Sequence, residues 1–347
     1  MPAKSKIVAA PRHAWAPAWL FCLCLLAGCS NPRSILDPQG PAAARIADLW
    51  WLIFGLGMVI FFVVVAFLGL ALFRRRTLPT SDQPETRPSR GGARFVVLAG
   101  IVVPAIILLF LFALSVNTMR ALSAPDAAQD LTIQVIGHQW WWEIHYSDQQ
   151  NPDQQIETAN EIHIPVGVPV QIKLATQDVV HNFWIPNLHG KLDMIPGQTT
   201  TMWIQADRAG TFWGECAEFC GIQHAKMAFV VVAEPPEQFA AWLEQQRQPA
   251  ATPVEPLAQQ GEQVFLASTC VNCHAIGGTS ATGQLGPDLT HLASRRTLAA
   301  GTLANNRGNL GGWITAPQQI KPGNHMPPTD LTGPDLQALL AYLATLE

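Results

Sequence analysis

Two stretches of this chain, Leu49 to Phe73 and Phe95 to Val116, carry no charged residue. About 20 apolar residues suffice for a helix to cross a bilayer. Both runs reach that length, so spans are expected at about 49–73 and 95–116. Buried helices of a soluble core are the competing reading, and length argues against them. Pro104 falls inside the second run and is tolerable in lipid. Arg74, Arg75, Arg76, Arg87, Arg90 and Arg94 lie between the runs. Such a cluster marks the cytoplasmic side, so both ends of the chain are expected on the outer face of a bacterial cell membrane. Only 13% of residues are charged and the net charge is -4. No nucleic-acid footprint is visible.

Residues 1–28 read as a signal. Lys4, Lys6 and Arg12 precede an apolar segment, Trp19 to Gly28, too short to span comfortably. Leu26-Ala27-Gly28-Cys29 matches a bacterial lipobox, so cleavage and lipidation at Cys29 are expected. An uncleaved anchor is the alternative.

The pattern then changes to period two. Leu131-Thr-Ile-Gln-Val-Ile, Val168-Pro-Val-Gln-Ile-Lys-Leu and Thr199-Thr-Thr-Met-Trp-Ile read as strands. Met227-Ala-Phe-Val-Val-Val is nearly all apolar and suits a central buried strand. Strands over 126–234 predict an antiparallel β-sandwich. Glu237 to Arg247 can form a short helix. Gln248 to Gln260 is rich in Pro, Ala and Gln, and 235–258 is expected to be a linker. Residues 259–347 read as helical. Thr332-Gly-Pro-Asp335 is a capping box for an amphipathic closing helix.

The cysteines point to cofactors. Cys22, Cys24 and Cys29 are near the start; the others form two pairs. Cys216-Ala-Glu-Phe-Cys220-Gly-Ile-Gln-His224-Ala-Lys-Met227 packs two thiols, an imidazole and a thioether into one loop. The bare pair could be a disulfide in an exported protein, or, with His224 and a distant His, a zinc site. Met227 argues for copper, because soft sulfur with imidazole selects it. His181 is the natural second imidazole. Cys270-Val-Asn-Cys273-His274 has the C-x-x-C-H spacing of covalent c-type haem attachment. Its thiols form thioethers and His274 binds iron. Met326, in Asn324-His-Met-Pro-Pro, is the expected second axial ligand, with His325 and His291 as rivals.

Gly137-His-Gln-Trp-Trp-Trp-Glu, Asp178-Val-Val-His181-Asn-Phe and Gly214-Glu-Cys through Met227 carry a family likeness. Residues 131–233 resemble the copper domain of cytochrome c oxidase subunit II, and the two-span hairpin over 29–125 matches too. The resemblance implies a cupredoxin-like Greek-key sandwich holding a dinuclear copper centre, CuA. It implies that Cys216 and Cys220 bridge the coppers and that His181 and His224 bind one each. Met227 and the Glu218 carbonyl become weak outer ligands. The Glu218 carboxylate reaches magnesium shared with subunit I, and Trp140 is an exposed aromatic for electron entry. Residues 259–347 resemble the all-α cytochrome c domain fused to some bacterial subunit II chains, through Gly286-Pro-Asp-Leu-Thr-His, Leu310-Gly-Gly-Trp-Ile and Lys321-Pro-Gly-Asn-His-Met-Pro.

The resemblance implies an oxidase subunit that passes electrons from an external donor through haem c and CuA to subunit I, where oxygen becomes water and protons are translocated. Other oxidase subunits are its expected partners. A free-standing membrane-tethered electron carrier is the alternative. Many subunit II chains carry a Glu seven residues before the second-span Pro, at the mouth of a proton pathway. Here that position is Val97, so proton entry must differ or use another residue.

Overall fold

The computed structural model describes residues 33–74, 90–123, 131–148 and 155–347. The signal-type segment, Cys22, Cys24 and Cys29 lie outside them, as do Arg75, Arg76 and Arg87.

Two helices stand apart from the rest, α1 (Pro41–Phe73) and α2 (Arg90–Leu122). The apolar windows of both are unburied, and water would not tolerate apolar faces of that size. Phe67 and Phe95 pack edge-on at 6.3 Å, joining the helices as a hairpin. A π-helical turn runs over Leu98–Val102, so the Val103 N–H reaches the Leu98 carbonyl. Pro104 supplies no N–H of its own, and such local adjustments re-satisfy backbone groups in lipid. The far end of the hairpin is tied to the sandwich. Ala43 N–H donates to the Leu188 carbonyl at 3.2 Å and Trp203 Nε1 to the Leu122 carbonyl at 3.1 Å. Arg74, Arg90 and Arg94 are at the opposite end.

The sandwich comprises β1 (Leu131–His138), β2 (Trp141–Asp148), β3 (Ile156–Ala159), β4 (Glu161–Pro165), β5 (Val170–Thr176), β6 (His181–Trp184), β7 (Leu192–Met194), β8 (Thr200–Ile204), β9 (Gly210–Cys216) and β10 (Ala228–Glu234). One sheet runs β3-β2-β1-β5-β8 and the other β4-β10-β9-β6-β7. The expectation of a purely antiparallel sandwich needs correction. β1 pairs parallel with β5, and β10 parallel with β4. The chain crosses to the other sheet at β4 and returns at β5, which therefore arrives beside β1 running the same way. Alternation reports which face of a strand is buried, not which strand lies next to it.

Trp142, Phe183 and Phe229 form the centre of the core. Phe183 stacks on Phe229 at 4.5 Å, and Trp142 meets Phe229 edge-on at 5.1 Å. Gly214 makes this possible, because a Cβ there would lie 2.1 Å from the Phe229 ring. Each such aromatic contributes about 1.5–3 kcal/mol on burial. β10 is buried along nearly its whole length between β4 and β9, as its apolar run foretells.

Helix α3 (Pro236–Gln246) follows, with Trp242 stacked on His163 at 4.1 Å. Helix α4 (Pro256–Ala267) then begins inside the stretch expected as linker. Proline is well placed there, since its missing N–H is one the first turn leaves unpaired anyway. The connecting residues are not free. Ala250 N–H donates to the Gly277 carbonyl at 2.9 Å. The last segment adds a ribbon, β11 (Thr297–Leu298) with β12 (Leu303–Ala304). Helices α5 (Arg307–Thr315), α6 (Pro317–Ile320) and α7 (Gly333–Leu343) complete it. Helices α4 and α7 cross at Gly261, where a Cβ would meet the Ala338 carbonyl at 2.0 Å. Thr332 caps α7 through the Asp335 N–H, as the capping box predicts.

Candidate functional site

β9 delivers Cys216, and the loop to β10 carries Cys220, His224 and Met227. β6 brings His181 beside them, because it pairs with β9 at Phe183↔Cys216. The two sulfurs are 3.8 Å apart and both cysteines are free, which removes the disulfide reading. Each thiol has its own imidazole. Cys216 Sγ lies 3.8 Å from His181 Nδ1, and Cys220 Sγ lies 3.7 Å from His224 Nδ1. Met227 Sδ is 3.7 Å from Cys220 Sγ, and the Glu218 carbonyl is 3.2 Å from Cys216 Sγ. The Glu218 carboxylate itself faces solvent. Every residue the sequence singled out for the metal is thus in one cluster. A soft set of two thiols, two imidazoles and a thioether suits copper.

Electrostatics match that use. Cys216 is held at about 3, first through the Cys220 thiol and then His181 and nearby backbone, with burial opposing. Cys220 is pushed far up, first by its hydrogen bond with Cys216, then by burial and by that neighbour's negative charge. Burial disfavours a charged His181, but Asp178 and Cys216 raise it above its ordinary range.

The sequence reading did not assign a role to Asp178, Gln139 or Gly137. Asp178 Oδ1 is 2.8 Å from His181 Nε2, which aims Nδ1 at Cys216. A carboxylate behind a ligating imidazole fixes its orientation in this way. The Gln139 and Val179 N–H groups hold Asp178, each at 2.6 Å. Gln139 Nε2 and Trp140 Nε1 donate to the Cys220 carbonyl at 2.8 and 3.0 Å. The His181 ring fits only because Gly137 lacks a Cβ. Asp178 was legible as the residue three before His181, but its direction depends on the fold.

Trp140 is a correction. The resemblance implies an exposed aromatic, whereas it is 8% exposed. It lies in the β1–β2 turn, and the last segment covers it. His325 packs against it with ring centroids 5.8 Å apart. Lys321 Nζ donates to the Trp140 carbonyl at 2.7 Å. Burial pushes Lys321 down to about 7. Elsewhere on this interface the Arg296 N–H donates to Glu161 Oε2 at 2.9 Å, and the Ala228 N–H to the Ala300 carbonyl at 3.0 Å.

Cys270 and Cys273 are also free and half-buried on one short turn, with His274 following. His274 Nδ1 donates to the Pro287 carbonyl at 2.7 Å, leaving Nε2 as the acceptor nitrogen. Burial keeps this imidazole neutral by lowering its pKa, as an iron ligand requires. Met326 packs on the same apolar cluster as Cys270 and Val271. The rival His291 has both ring nitrogens against backbone carbonyls, Glu347 at 2.7 Å and Gln248 at 3.1 Å. His325 is exposed, with its ring tilted against Trp140. These residues fit a covalently attached haem. A further group, Glu143, His145 and Glu157, also brings metal-type ligand atoms within 4.8 Å of one another.

Fold and site together define a membrane-anchored redox subunit with a sulfur-rich metal domain and an attached haem-type domain. Residues 149–234 match the family model "Cytochrome C oxidase subunit II, periplasmic domain", and 258–347 match "Cytochrome c". Cytochrome c oxidase subunit 2 of Alkalihalophilus pseudofirmus is 37% identical, covering 94% of this chain and 95% of that protein. The Bacillus subtilis protein of the same name is 30% identical over 93% of this chain and 94% of its own length. Quinol oxidase subunit 2 of Bacillus subtilis is 33% identical but covers only 65% of this chain and 70% of that protein. The periplasmic domain of Bradyrhizobium japonicum cytochrome oxidase subunit II covers 35% of this chain and 96% of its own, with 30% identity and a TM-score of 0.33. The chain belongs to the cytochrome c oxidase subunit II family and carries a C-terminal cytochrome c domain.

Proposed function

We propose that this chain relays electrons from an external donor, through haem c on its last domain and a copper pair on its sandwich, to the subunit that reduces oxygen to water. The observation that carries this reading is the sulfur geometry. Two free thiols 3.8 Å apart, each facing its own imidazole, suit two metal ions sharing both sulfurs. Cys216 and Cys220 would bridge the coppers and His181 and His224 would bind one each. Met227 Sδ and the Glu218 carbonyl would complete the set. Cys270 and Cys273 would tether the haem, with His274 and Met326 as axial ligands.

Copper and haem, when bound, supply one-electron chemistry. The chain's own residues supply rigidity and placement. Asp178 fixes the imidazole of His181. The core of Trp142, Phe183 and Phe229 stiffens the strands that carry the ligands, so the site keeps its shape as charge changes. Trp140 lies between the two domains and bonds directly to the Cys220 carbonyl. The Glu218 carboxylate, which is exposed, would reach magnesium at the contact with subunit I. The hairpin anchors the assembly, with both soluble domains on the outer face and the arginines inside. If the complex translocates protons, entry does not use a carboxylate at Val97.

Purification from membranes with metal and haem analysis tests this. The expected result is a copper pair and one covalent haem per chain, in a complex with a large haem-bearing subunit. Zinc in place of copper would overturn the metal assignment. Isolation without the large subunit would favour a free-standing carrier.

A further inference from the structure

We propose that Lys321 is the latch that holds the cytochrome c domain closed over Trp140, making this face of the sandwich accept electrons from the chain's own haem and shutting it to a soluble donor. The inference rests on the electron-relay reading above and names the residue that controls it.

Lys321 is 2% exposed. Its ammonium donates to one carbonyl from each domain, Trp140 at 2.7 Å and Ala299 at 3.2 Å. No carboxylate lies within ion-pair distance of it among the described residues. Burying an ammonium without a counter-ion is costly, and simple packing at this position would be better served by an apolar side chain. What the amine adds is a pair of hydrogen bonds that an apolar side chain cannot make. One of them reaches the turn whose side chains grip the Cys220 carbonyl. The latch therefore connects to the sulfur loop in two steps, Lys321 Nζ to the Trp140 carbonyl and Trp140 Nε1 to the Cys220 carbonyl.

The same segment makes other contacts with the ligand loop. Gln223 Nε2 donates to the Pro322 carbonyl and Lys226 Nζ to the Ile320 carbonyl, both at 2.5 Å. His325 lies against Trp140, and the next residue is Met326. Closing the latch thus places the candidate haem ligand one residue from the ring that touches Trp140. Lys226 is exposed, so its bond competes with water. The Lys321 bonds do not. The electron step needs no co-reactant, since the haem domain is oxidised by one electron, the copper domain is reduced by one, and no bond to carbon or hydrogen changes.

The test uses the full chain in its complex, with Lys321→Met, which keeps the stem and removes the donors. Hydrogen exchange should rise about tenfold or more at residues 137–142 and 318–326, given two buried hydrogen bonds lost. Exchange in β10 should stay unchanged. Electron transfer from haem to copper after rapid mixing should slow by about tenfold or more, with copper content and haem potential unaltered. Lys321→Gln, which retains amide donors, should fall between. Lys191→Met, at an exposed lysine of the sandwich away from this interface, should change neither reading. In the unaltered protein a soluble cytochrome should reduce copper only after the haem, and in Lys321→Met it should reduce copper directly. Wild-type exchange in both Lys321 variants would overturn the latch. So would direct copper reduction in the unaltered protein ahead of the haem. The exchange measurement also reads on protein lacking copper, so failure of the copper assignment is distinguishable from failure of the latch.

Discussion

Gly137→Ala should loosen the copper centre without replacing a ligand. A Cβ at residue 137 would lie 2.8 Å from His181 Cδ2 and 3.1 Å from Cγ, where ordinary contact begins at 3.4 Å. The ring must retreat by about 0.6 Å to remove that overlap. Asp178 holds its far nitrogen at 2.8 Å, and Trp142 flanks it with centroids 6.1 Å apart. Retreat therefore strains the Asp178 bond or swings Nδ1 away from Cys216. Metal–ligand distances tolerate about 0.2 Å, so the expected displacement is too large to absorb. Perturbing a group that orients a ligand costs about 10–100-fold in metal affinity, equivalent to about 1.4–2.8 kcal/mol. Chelator competition on the copper-loaded chain measures the affinity, and the thermal midpoint of the copper-free chain serves as control. Unchanged affinity, or a fall in metal-free stability large enough to explain the loss, would refute a ring-displacement mechanism.

Three further outcomes are expected. Cys216→Ser should abolish the dinuclear centre and leave the haem in place, since a hydroxyl is a poor bridging ligand for copper; survival of the copper pair and its mixed-valence spectrum would refute the ligand set. Met326→Ala should keep covalent haem but lower its potential, because thioether ligation favours reduced iron; an unchanged potential and spectrum would move the ligand to another residue. Burial opposes ionisation of Glu143, but hydrogen bonds from His138 and His145 hold it at about 2, below its ordinary 4.5. Its contribution to stability is therefore present above pH 4.5 and lost as pH falls toward 2. The difference in thermal midpoint between the native chain and Glu143→Gln should shrink across that window, and a constant difference would refute it.

The chain announces its chemistry because the chemistry is local. Cys216, Cys220, His224 and Met227 share one loop, and Cys270, Cys273 and His274 share one turn, so their spacing marks them as candidate donors, although spacing alone left disulfide and zinc readings open for the first group. The spans and the Thr332 cap are legible for the same reason, being set by composition or by residues within one turn. Tertiary structure decided everything that joins distant segments. His181 meets Cys216 across 35 residues because β6 happens to pair with β9. The parallel neighbours of β1 and β10 arise from crossings between sheets that a period-two pattern does not encode. Trp140 looks like a surface aromatic until Lys321, 181 residues later, closes over it. Sequence periodicity specifies which side of an element seeks cover. What provides that cover, and therefore whether Trp140 faces a soluble donor or the chain's own cytochrome c domain, is fixed only when the domains pack.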